Sequence, residues 1–469
     1  MRFSDFHLQP SLLKALDILK FNTVKPVQEK VIPCLLDQKD CIVLSNTGSG
    51  KTAAYLIPIL ETINIQERSP QALVLTPTRE LALQVQKEAQ NLGTFQKIKA
   101  LPVFGKQPFA FQKEDLKQRT HLVCGTPGRI LDHLKQGTLP IEKIKTIVID
   151  EADEMLNMNF MDEVEAILSF FKKKHTTALF SATMPKRIET LAMTFLKNPE
   201  KIEIMSEAMD LQEIFYRVQE PQKLDALCTL MEKEALDSYL IFANLQSRVD
   251  MIYEYLKQQG VSVDKIHGGM MQEERLQHLK RFRLSKVRVL VATDVASRGI
   301  DVEKIQCVIN YDWPTTLEKY VHRIGRSARN HEKGKSITFV TDSQQTKFEE
   351  LQKYLHKTMS LETCTIHQAP FDLKSLERPI HIREEKGKAL RKDIFKIYLN
   401  GGKNKKIRPG DIVGAICEIP HVTSDDIGII QVQDHQTYVD ILNNKGKLVL
   451  EALQHKTIKG KKLRVQKAK

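Results

Sequence analysis

The sequence predicts two consecutive α/β domains with parallel sheets, followed by a small α+β domain. Two observations lead to this fold class. The chain has 469 residues, which exceeds one hydrophobic core and fits roughly three domains. Short apolar, β-branched runs also alternate with longer stretches of helical period. Continuous apolar strands separated by helices are typical of parallel sheets covered on both faces.

The strand runs set the predicted domain boundaries. The first series lies at 41–45, 72–76, 121–125, 146–149 and 177–180, and the second at 239–243, 287–292, 307–311 and 336–340. The predicted domains are 1–205, 213–362 and 394–469, joined by linkers at 206–212 and 363–393. The first linker has no strand signal, and the second contains prolines and alternating charges.

The third domain is predicted from five apolar runs and one helical stretch. The runs are FKIYLN, DIVGAI, GIIQVQ, TYVDIL and KLRVQ, and the helical stretch is 445–454. This part of the chain is also basic: residues 371–469 carry a net charge of +9 out of the total of +13. Such a charge favours a polyanion such as RNA or DNA, with a solvated lysine-rich surface as the alternative.

The remaining composition excludes several classes of protein. The seven cysteines are scattered, without a CxxC pair, so neither a zinc site nor a disulfide framework is indicated. The N-terminus lacks the apolar core of a signal peptide, and no apolar run has the ~18 residues that a membrane span needs. We therefore expect no membrane partner and a reducing cytoplasm as the location.

A phosphate-binding loop follows the first predicted strand. The string SNTGSGKT provides small residues whose backbone N–H groups can face phosphate oxygens. Lys51 is expected to reach the β- and γ-phosphates, and the Thr52 hydroxyl to bind Mg²⁺. Ser45 stands where the pattern has glycine. The predicted nucleotide-binding residues of this loop are Ser45, Asn46, Thr47, Gly48, Ser49, Gly50, Lys51 and Thr52.

An acidic motif follows a later strand of the same domain. Asp150 and Glu151 come directly after the run TIVI, where a parallel sheet delivers ligands to its carboxyl edge. Asp150 is expected to hold Mg²⁺, and Glu151 to polarise the attacking water. Residues 150–153 read DEAD, and with the surrounding motifs the chain resembles the DEAD-box ATP-dependent RNA helicases. This resemblance implies two RecA-like P-loop domains in tandem, with ATP and Mg²⁺ as cofactors.

The resemblance assigns further residues of the first domain. Phe21 and Gln28 resemble the adenine-reading Q motif, and Asp153, Ser181 and Thr183 resemble the groups that couple ATP state to strand separation. The RNA-backbone motifs are matched by PTRELA, by a glycine motif reduced to Gly105-Lys106, and by TPGR. The implied RNA contacts are Pro77, Thr78, Arg79, Gly105, Thr126, Gly128 and Arg129.

The second domain resembles the other half of the same helicase core. The string ATDVASRGID places Thr293 as an RNA contact and Asp301 as a nucleotide contact, and Gln272 and Arg275 match another RNA motif. HRIGRSAR implies a coupling role for His322 and makes Arg326 and Arg329 the arginine fingers. Because hydrolysis would need residues of both domains, we expect ATP and RNA to bind with positive, reciprocal coupling.

The third domain contains the strings NGGKNKKIRPGDIVGAI, SDDIGIIQVQDHQTYVDI and IKGKKLRVQ. With these it resembles the RNA-binding domain of the bacterial DbpA/YxiN subfamily, which is RRM-like. The match implies targeting to hairpin 92 of 23S ribosomal RNA in pre-50S particles, and a role in large-subunit assembly. The expected phosphate contacts are Lys403, Lys405, Lys406, Arg408, Lys461, Lys462 and Arg464. Tyr398 and Tyr438 stand at positions for base stacking, although structural tyrosines are an equal alternative.

Two other functions remain open from the sequence. One is a general DEAD-box RNA helicase of cold adaptation or RNA decay, whose basic tail is only an electrostatic anchor. The other is an ATP-gated RNA clamp or chaperone that holds RNA and separates strands only incidentally. A DNA helicase fits the DEAD and HRIGRSAR strings less well.

Overall fold

A computed structural model describes residues 1–46, 48–204, 211–294, 305–327, 334–367, 371–376, 380–385, 387–392 and 394–468. The chain divides into two compact units. The first comprises residues 1–44, 50–202 and 385–469, and the second comprises 45–49 and 203–384.

The first unit contains a sheet of seven described strands in the order β3-β4-β2-β5-β6-β1-β7, in which the six strands from β3 to β1 run parallel. The strands are β1 (Cys41–Leu44), β2 (Ala72–Leu75), β3 (Ala100–Val103), β4 (Leu122–Gly125), β5 (Thr146–Ile149), β6 (Thr176–Ser181) and β7 (Glu200–Glu203). The central strands are almost wholly buried and apolar, as expected for a sheet with helices on both faces.

The described helices of this part are α1 (Pro10–Ile18), α2 (Pro26–Leu36), α3 (Lys51–Thr62), α4 (Arg79–Leu92), α5 (Phe109–Leu116), α6 (Pro127–Lys135), α7 (Ala152–Asn157), α8 (Met161–Phe170) and α9 (Lys186–Phe195). Proline occupies the first turn of α1, α2 and α6, where its missing N–H costs no hydrogen bond. Because β1, β2, β4 and β5 each lead directly into a functional segment, the carboxyl edge of this sheet carries the motifs.

The second unit repeats the plan with seven described parallel strands in the order β10-β11-β9-β12-β13-β8-β14. They are β8 (Leu211–Arg217), β9 (Tyr239–Phe242), β10 (Val263–Ile266), β11 (Val289–Ala292), β12 (Cys307–Asn310), β13 (Gly334–Val340) and β14 (Leu361–Thr363). The described helices are α10 (Lys223–Glu234), α11 (Gln246–Gln258), α12 (Gln272–Arg283), α13 (Leu317–Ile324) and α14 (Gln345–Leu355).

The C-terminal domain is a four-stranded antiparallel sheet in the order β16-β17-β15-β20. Its strands are β15 (Phe395–Leu399), β16 (Ile427–Val432), β17 (Thr437–Ile441) and β20 (Val465–Lys467), with a small hairpin of β18 (Thr457–Ile458) and β19 (Lys461–Lys462). The helices α16 (Pro409–Cys417) and α17 (Gly446–His455) pack on it, and α15 (Lys388–Lys392) precedes it. The predicted fold class is therefore confirmed.

Several local predictions need correction. The run DIVGAI is helical, within α16, because Pro409 starts the helix, Asp411 accepts a hydrogen bond from the Arg408 backbone N–H at 2.8 Å, and the apolar residues have helical spacing. Strand β8 begins at Leu211, inside the predicted linker 206–212, and Leu211 packs against a core cluster of the second unit. The strands β3, β7, β10 and β14 had not been predicted either.

The predicted linker 363–393 is also partly core. Cys364, Leu373 and Leu376 are buried in the main hydrophobic cluster of the second unit. The fully buried Arg288 donates from Nε to the Leu376 carbonyl oxygen at 2.9 Å. Residues 364–367 and 371–376 therefore extend the second unit, since removing these leucines from water outweighs the irregular backbone.

In the part of the chain that the structure describes, every helix is too short or too polar to cross a membrane.

Candidate functional site

The phosphate-binding loop joins β1 to α3. Gly48 and Gly50 have positive φ angles of 83° and 96°, which glycine adopts without strain. Ser45 is buried, and its hydroxyl lies 3.1 Å from that of Ser49. Lys51 is buried at the first position of α3, where the helix N-terminus favours a bound anion.

The Q-motif residue Gln28, which lies on α2, contacts the end of this loop. Its Oε1 accepts a hydrogen bond from the Lys25 backbone N–H at 2.9 Å, and its Nε2 donates to the Gly50 carbonyl oxygen at 3.3 Å. A Cβ at Gly50 would lie only 2.8 Å from Gln28 Nε2, and the positive φ of Gly50 disfavours any other residue there. Phe21 is half-buried and meets Phe3 edge to face, with ring centroids 6.0 Å apart.

Asp150 is buried at the end of β5, where α3 faces it. The Tyr55 hydroxyl donates to Asp150 Oδ2 at 2.9 Å. Burial raises the pKa of Asp150, while the charge of Lys51 opposes that rise. Burial also raises the pKa of Tyr55 well above its ordinary value, so the phenol keeps its proton and acts as the donor. Among the described residues, Asp150 Oδ1 is buried and has no hydrogen-bond partner.

Glu151 and Asp153 continue the acidic motif into α7. Glu151 has a positive φ of 55° immediately before the helix. Asp153 is buried, and its Oδ2 accepts hydrogen bonds from the backbone N–H groups of Ala182 and Thr183, both at 3.2 Å. The Ser181 hydroxyl donates to the Thr183 carbonyl oxygen at 2.6 Å. The structure therefore brings together three of the four residues predicted to couple ATP state to RNA, namely Asp153, Ser181 and Thr183.

The predicted RNA contacts of the first unit follow three adjacent strands, β3, β4 and β2. They are Pro77, Thr78, Arg79, Gly105, Thr126, Gly128 and Arg129. The Thr78 hydroxyl caps α4 by accepting from the Leu81 N–H at 3.3 Å. A Cβ at Gly105 would lie 3.9 Å from the Arg79 guanidinium, so two of these motifs are close neighbours.

Gln112 of α5 links two of the RNA motifs. Its Nε2 donates to the Phe104 carbonyl oxygen at 2.8 Å, and its Oε1 accepts from Arg129 Nη1 at 3.1 Å. Arg129 Nη1 also donates to the Gln107 carbonyl oxygen at 2.9 Å. Burial lowers the pKa of the adjoining His133 to about 4, so this ring is neutral near pH 7. The network holds the guanidinium group of Arg129 against the loop that contains Gly105.

The predicted functional residues of the second unit lie on α12 and α13 or directly after β11 and α13. Gln272 and Arg275 lie on the first turn of α12, and Thr293 is buried directly after β11. His322 lies on α13 and Arg326 is buried just beyond it.

Arg323 connects two of these segments. It donates from Nε and Nη2 to the two carboxylate oxygens of Asp294, at 2.5 and 2.8 Å. This bidentate pair joins the strand-end motif after β11 to α13. Three predicted residues, Thr47, Asp301 and Arg329, lie outside the described residues.

The predicted basic residues of the C-terminal domain form one exposed patch, which we call the basic patch. It consists of Lys403, Lys405, Lys406, Arg408, Lys461, Lys462 and Arg464. Lys461 Nζ donates to the Lys405 carbonyl oxygen at 2.7 Å, and Lys459 Nζ to that of Lys406 at 3.0 Å. Two segments that are distant in sequence therefore lie side by side. A Cβ at Gly402 would lie 2.0 Å from the Gln433 carbonyl oxygen, so the turn that presents this patch needs glycine.

Tyr398 and Tyr438 are paired directly across β15 and β17. Both are half-buried, and their rings meet edge to face with centroids 5.7 Å apart. The next pair on the same side of the sheet is Lys396 and Asp440, which form an ion pair at 3.4 Å. Base stacking by the tyrosines stays a prediction.

Family models match three consecutive parts of the chain. The DEAD/DEAH box helicase model matches residues 25–191, and the helicase conserved C-terminal domain model matches 222–331. The DbpA RNA binding domain model matches 396–467. The ATP-dependent RNA helicase DbpA of Bacillus subtilis is 45% identical to this chain and covers 99% of both sequences. The chain belongs to the DbpA-type DEAD-box RNA helicases.

Other relatives share the helicase core. The DEAD-box ATP-dependent RNA helicase CshA of Geobacillus kaustophilus is 42% identical over 72% of this chain and 73% of its own length. The structure of S. cerevisiae Dbp5 bound to RNA and ADP BeF3 is 30% identical, with a TM-score of 0.70, over 77% of this chain and 95% of its own. The DbpA-type helicase described here is accordingly an ATP-dependent enzyme that binds RNA.

Three residues of this DbpA-type helicase were missed by sequence reasoning. Tyr55 lies in an apolar stretch of α3, Gln112 lies outside the matched motifs, and Arg323 belongs to HRIGRSAR, whose resemblance assigns roles to His322, Arg326 and Arg329. Each contacts a partner that is distant in sequence, so no local signal marks it.

Proposed function

We propose that this helicase uses ATP and Mg²⁺ to separate short RNA duplexes in 23S ribosomal RNA of pre-50S particles during large-subunit assembly. Hairpin 92 is the proposed docking site for the C-terminal domain. The observation that supports this targeting is the basic patch, which lies in the domain matched by the DbpA RNA binding domain model. A cytoplasmic location fits the seven cysteines, which are all free thiols in the structure.

The proposed magnesium ligands are Thr52 and Asp150. The buried Asp150 Oδ1, which has no partner among the described residues, fits a hard cation that prefers oxygen ligands. Such an ion would neutralise charge on the phosphates during transfer. Lys51 would bind the β- and γ-phosphates, and Glu151 would orient the attacking water. Gln28 and Phe21 would read adenine, with Asp301 as a further nucleotide contact.

Hydrolysis would also need cations on the charge that develops at the γ-phosphate. We assign this role to Arg326 and Arg329, because an arginine in that position contributes orders of magnitude to the rate. His322, Asp153, Ser181 and Thr183 would report the nucleotide state to the RNA contacts. The contacts from Thr78, Arg79, Arg129, Gln272, Arg275 and Thr293 would grip the RNA backbone without reading bases.

The basic patch would determine which RNA is bound. Its seven cationic side chains are exposed, and the hydrogen bonds between 403–408 and 459–464 keep them on one surface. A surface of this kind binds closely spaced phosphates, as in a folded hairpin, with a strong dependence on salt. The shape of the patch then favours one RNA fold over a simple extended strand.

A matched pair of variants tests the targeting. ATPase stimulation is measured with a fragment of 23S rRNA that contains hairpin 92 and with an unrelated hairpin of equal length. We expect the specific fragment to half-saturate the wild-type enzyme at a concentration roughly 100-fold lower. In the double variant Lys405→Ala/Lys461→Ala this preference should shrink about tenfold, while the rate at saturating RNA stays unchanged.

The control removes two charges elsewhere in the same domain. Lys447→Ala/Lys456→Ala should keep the preference, because neither lysine is part of the basic patch. Equal stimulation of the wild-type enzyme by both RNAs would refute the targeting and select the general RNA helicase. Slow RNA release with negligible strand separation on a short duplex would instead select the clamp.

A further inference from the structure

We propose that Tyr55 is a positioning residue, whose hydroxyl fixes the orientation of Asp150, which with Thr52 is assigned to magnesium. The inference rests on the proposed function, which assigns those two residues to the metal. Tyr55 itself would touch neither the metal nor the nucleotide.

The first argument is the position of the Tyr55 hydroxyl. Tyr55 lies on α3 three residues after Thr52, so both side chains project from the same face of the helix. Its hydroxyl donates to Asp150 Oδ2 at 2.9 Å. One phenol oxygen therefore connects α3, the helix that also carries Thr52, to Asp150 at the end of β5.

The second argument concerns which oxygen of the Asp150 carboxylate remains available to a cation. The terminal torsion of an aspartate is broad and roughly twofold, so an untethered carboxylate presents either oxygen. The bond from Tyr55 occupies Oδ2, and Oδ1 remains buried without a partner among the described residues. A carboxylate held in this way presents one defined oxygen to a cation. Hydrogen bonds that orient a ligating side chain raise metal affinity by this means.

The third argument is the rigidity of the ring. Tyr55 is fully buried, and its ring packs against that of Phe180 in β6, with centroids 5.2 Å apart. Because this packing involves the ring and not the hydroxyl, phenylalanine at position 55 keeps the ring contacts. The substitution Tyr55→Phe thus removes a single oxygen atom from the site.

The experiment measures equilibrium binding of fluorescently labelled ADP to the full-length protein over a range of Mg²⁺ concentrations, and again in EDTA. In Tyr55→Phe we expect the Mg²⁺ concentration at half-effect to rise about tenfold. The affinity measured in EDTA should stay unchanged, because the phosphate loop is untouched. This split between the metal-dependent and metal-free affinities is a result that a merely structural role would not produce.

A matched control is Tyr320→Phe in the second unit. Tyr320 is also buried, and its hydroxyl donates to a carboxylate, Glu213 Oε2, at 2.7 Å. This variant should lose a comparable hydrogen bond and leave the Mg²⁺ curve unchanged. If Tyr55→Phe does not fold, the dependence of nucleotide binding on Mg²⁺ is measured with Tyr55→Met, which also lacks the hydroxyl.

The outcomes separate the two hypotheses. If wild type and Tyr55→Phe have the same Mg²⁺ midpoint, the role of Tyr55 is overturned and the metal assignment stands. An equal loss of affinity with and without Mg²⁺ also overturns it, since the hydroxyl would then only support the loop. If nucleotide binding by the wild-type protein does not depend on Mg²⁺, the magnesium assignment itself fails, and the role of Tyr55 with it.

Discussion

The nucleotide site and the basic patch differ in the burial and the hydrogen bonding of their charged side chains. At the nucleotide site, Lys51, Asp150 and Asp153 are buried, and Asp150 and Asp153 have fixed hydrogen-bond partners. In the basic patch all seven cationic residues are exposed, and lysine side chains that donate to backbone carbonyl oxygens hold its two segments together. The first site concentrates its function in a few groups, whereas the second spreads it over many.

This difference determines how each region responds to change. A charge is worth more in a buried, low-dielectric site, where the loss of one partner leaves another group unsatisfied. An exposed lysine interacts through water and salt, so its neighbours compensate for its loss. The expected effects of the following changes therefore span a wide range, from loss of folding to a small shift in affinity.

The largest effect is expected when the chain is truncated before Leu373 and Leu376, which are buried in the core of the second unit. A protein that ends at residue 370 loses Leu373 and Leu376 from the core of the second unit, whereas one that ends at 393 keeps them. Loss of two buried leucines costs about 4–10 kcal/mol of unfolding free energy. Thermal unfolding of the two truncated proteins measures this loss of stability, and equal midpoints would contradict the assignment of Leu373 and Leu376 to the core.

Next comes the loss of Lys51. In Lys51→Ala we expect RNA-stimulated ATPase to fall by about 10³-fold, because the γ-phosphate loses a preorganised cation in a buried site. Phosphate release is the measurement. Lys39→Ala is the control, since Lys39 belongs to the same unit but is exposed and, among the described residues, forms its ion pair with exposed Asp37. A similar loss of rate in both variants would show that general charge, and not position, matters.

A smaller effect on rate, with a different signature, is expected for Glu151→Gln. Turnover should fall by about 10²-fold because the attacking water loses its base, while ATP binding persists. RNA should then dissociate more slowly in the presence of ATP, since the ATP-bound state accumulates. Stopped-flow release of labelled RNA tests this. Unchanged release together with slow turnover would contradict the coupling of ATP to RNA.

The smallest effects belong to single residues of the basic patch. Each substitution such as Lys405→Ala or Lys462→Ala should weaken RNA binding only about two- to threefold at moderate salt. The slope of log Kd against log salt should decrease by about one for each lysine that contacts a phosphate. A single lysine whose removal abolished binding would show that the patch concentrates its function, as the nucleotide site does.

Most of the catalytic core was predictable because its chemistry is encoded locally. SNTGSGKT and DEAD are contiguous strings after apolar strands, and the structure has β1 and β5 at those strands. Strands with a weaker apolar signal were missed: β8 contains Gln212 and Glu213, and β10 contains Asp264 and Lys265. Their strand conformation depends on neighbours in the sheet, which periodicity alone does not reveal.

The sequence by itself determined the family, the α/β class, the residues around the phosphates and the basic character of the C-terminal domain. These features follow from residue types at short spacing. Only the tertiary structure decided that Tyr55 bonds Asp150, that Gln112 holds Arg129, that 403–408 lies beside 459–464, and that Leu373 and Leu376 belong to the core. Such contacts join residues far apart in the chain, and their energy comes from burial and hydrogen bonding after folding.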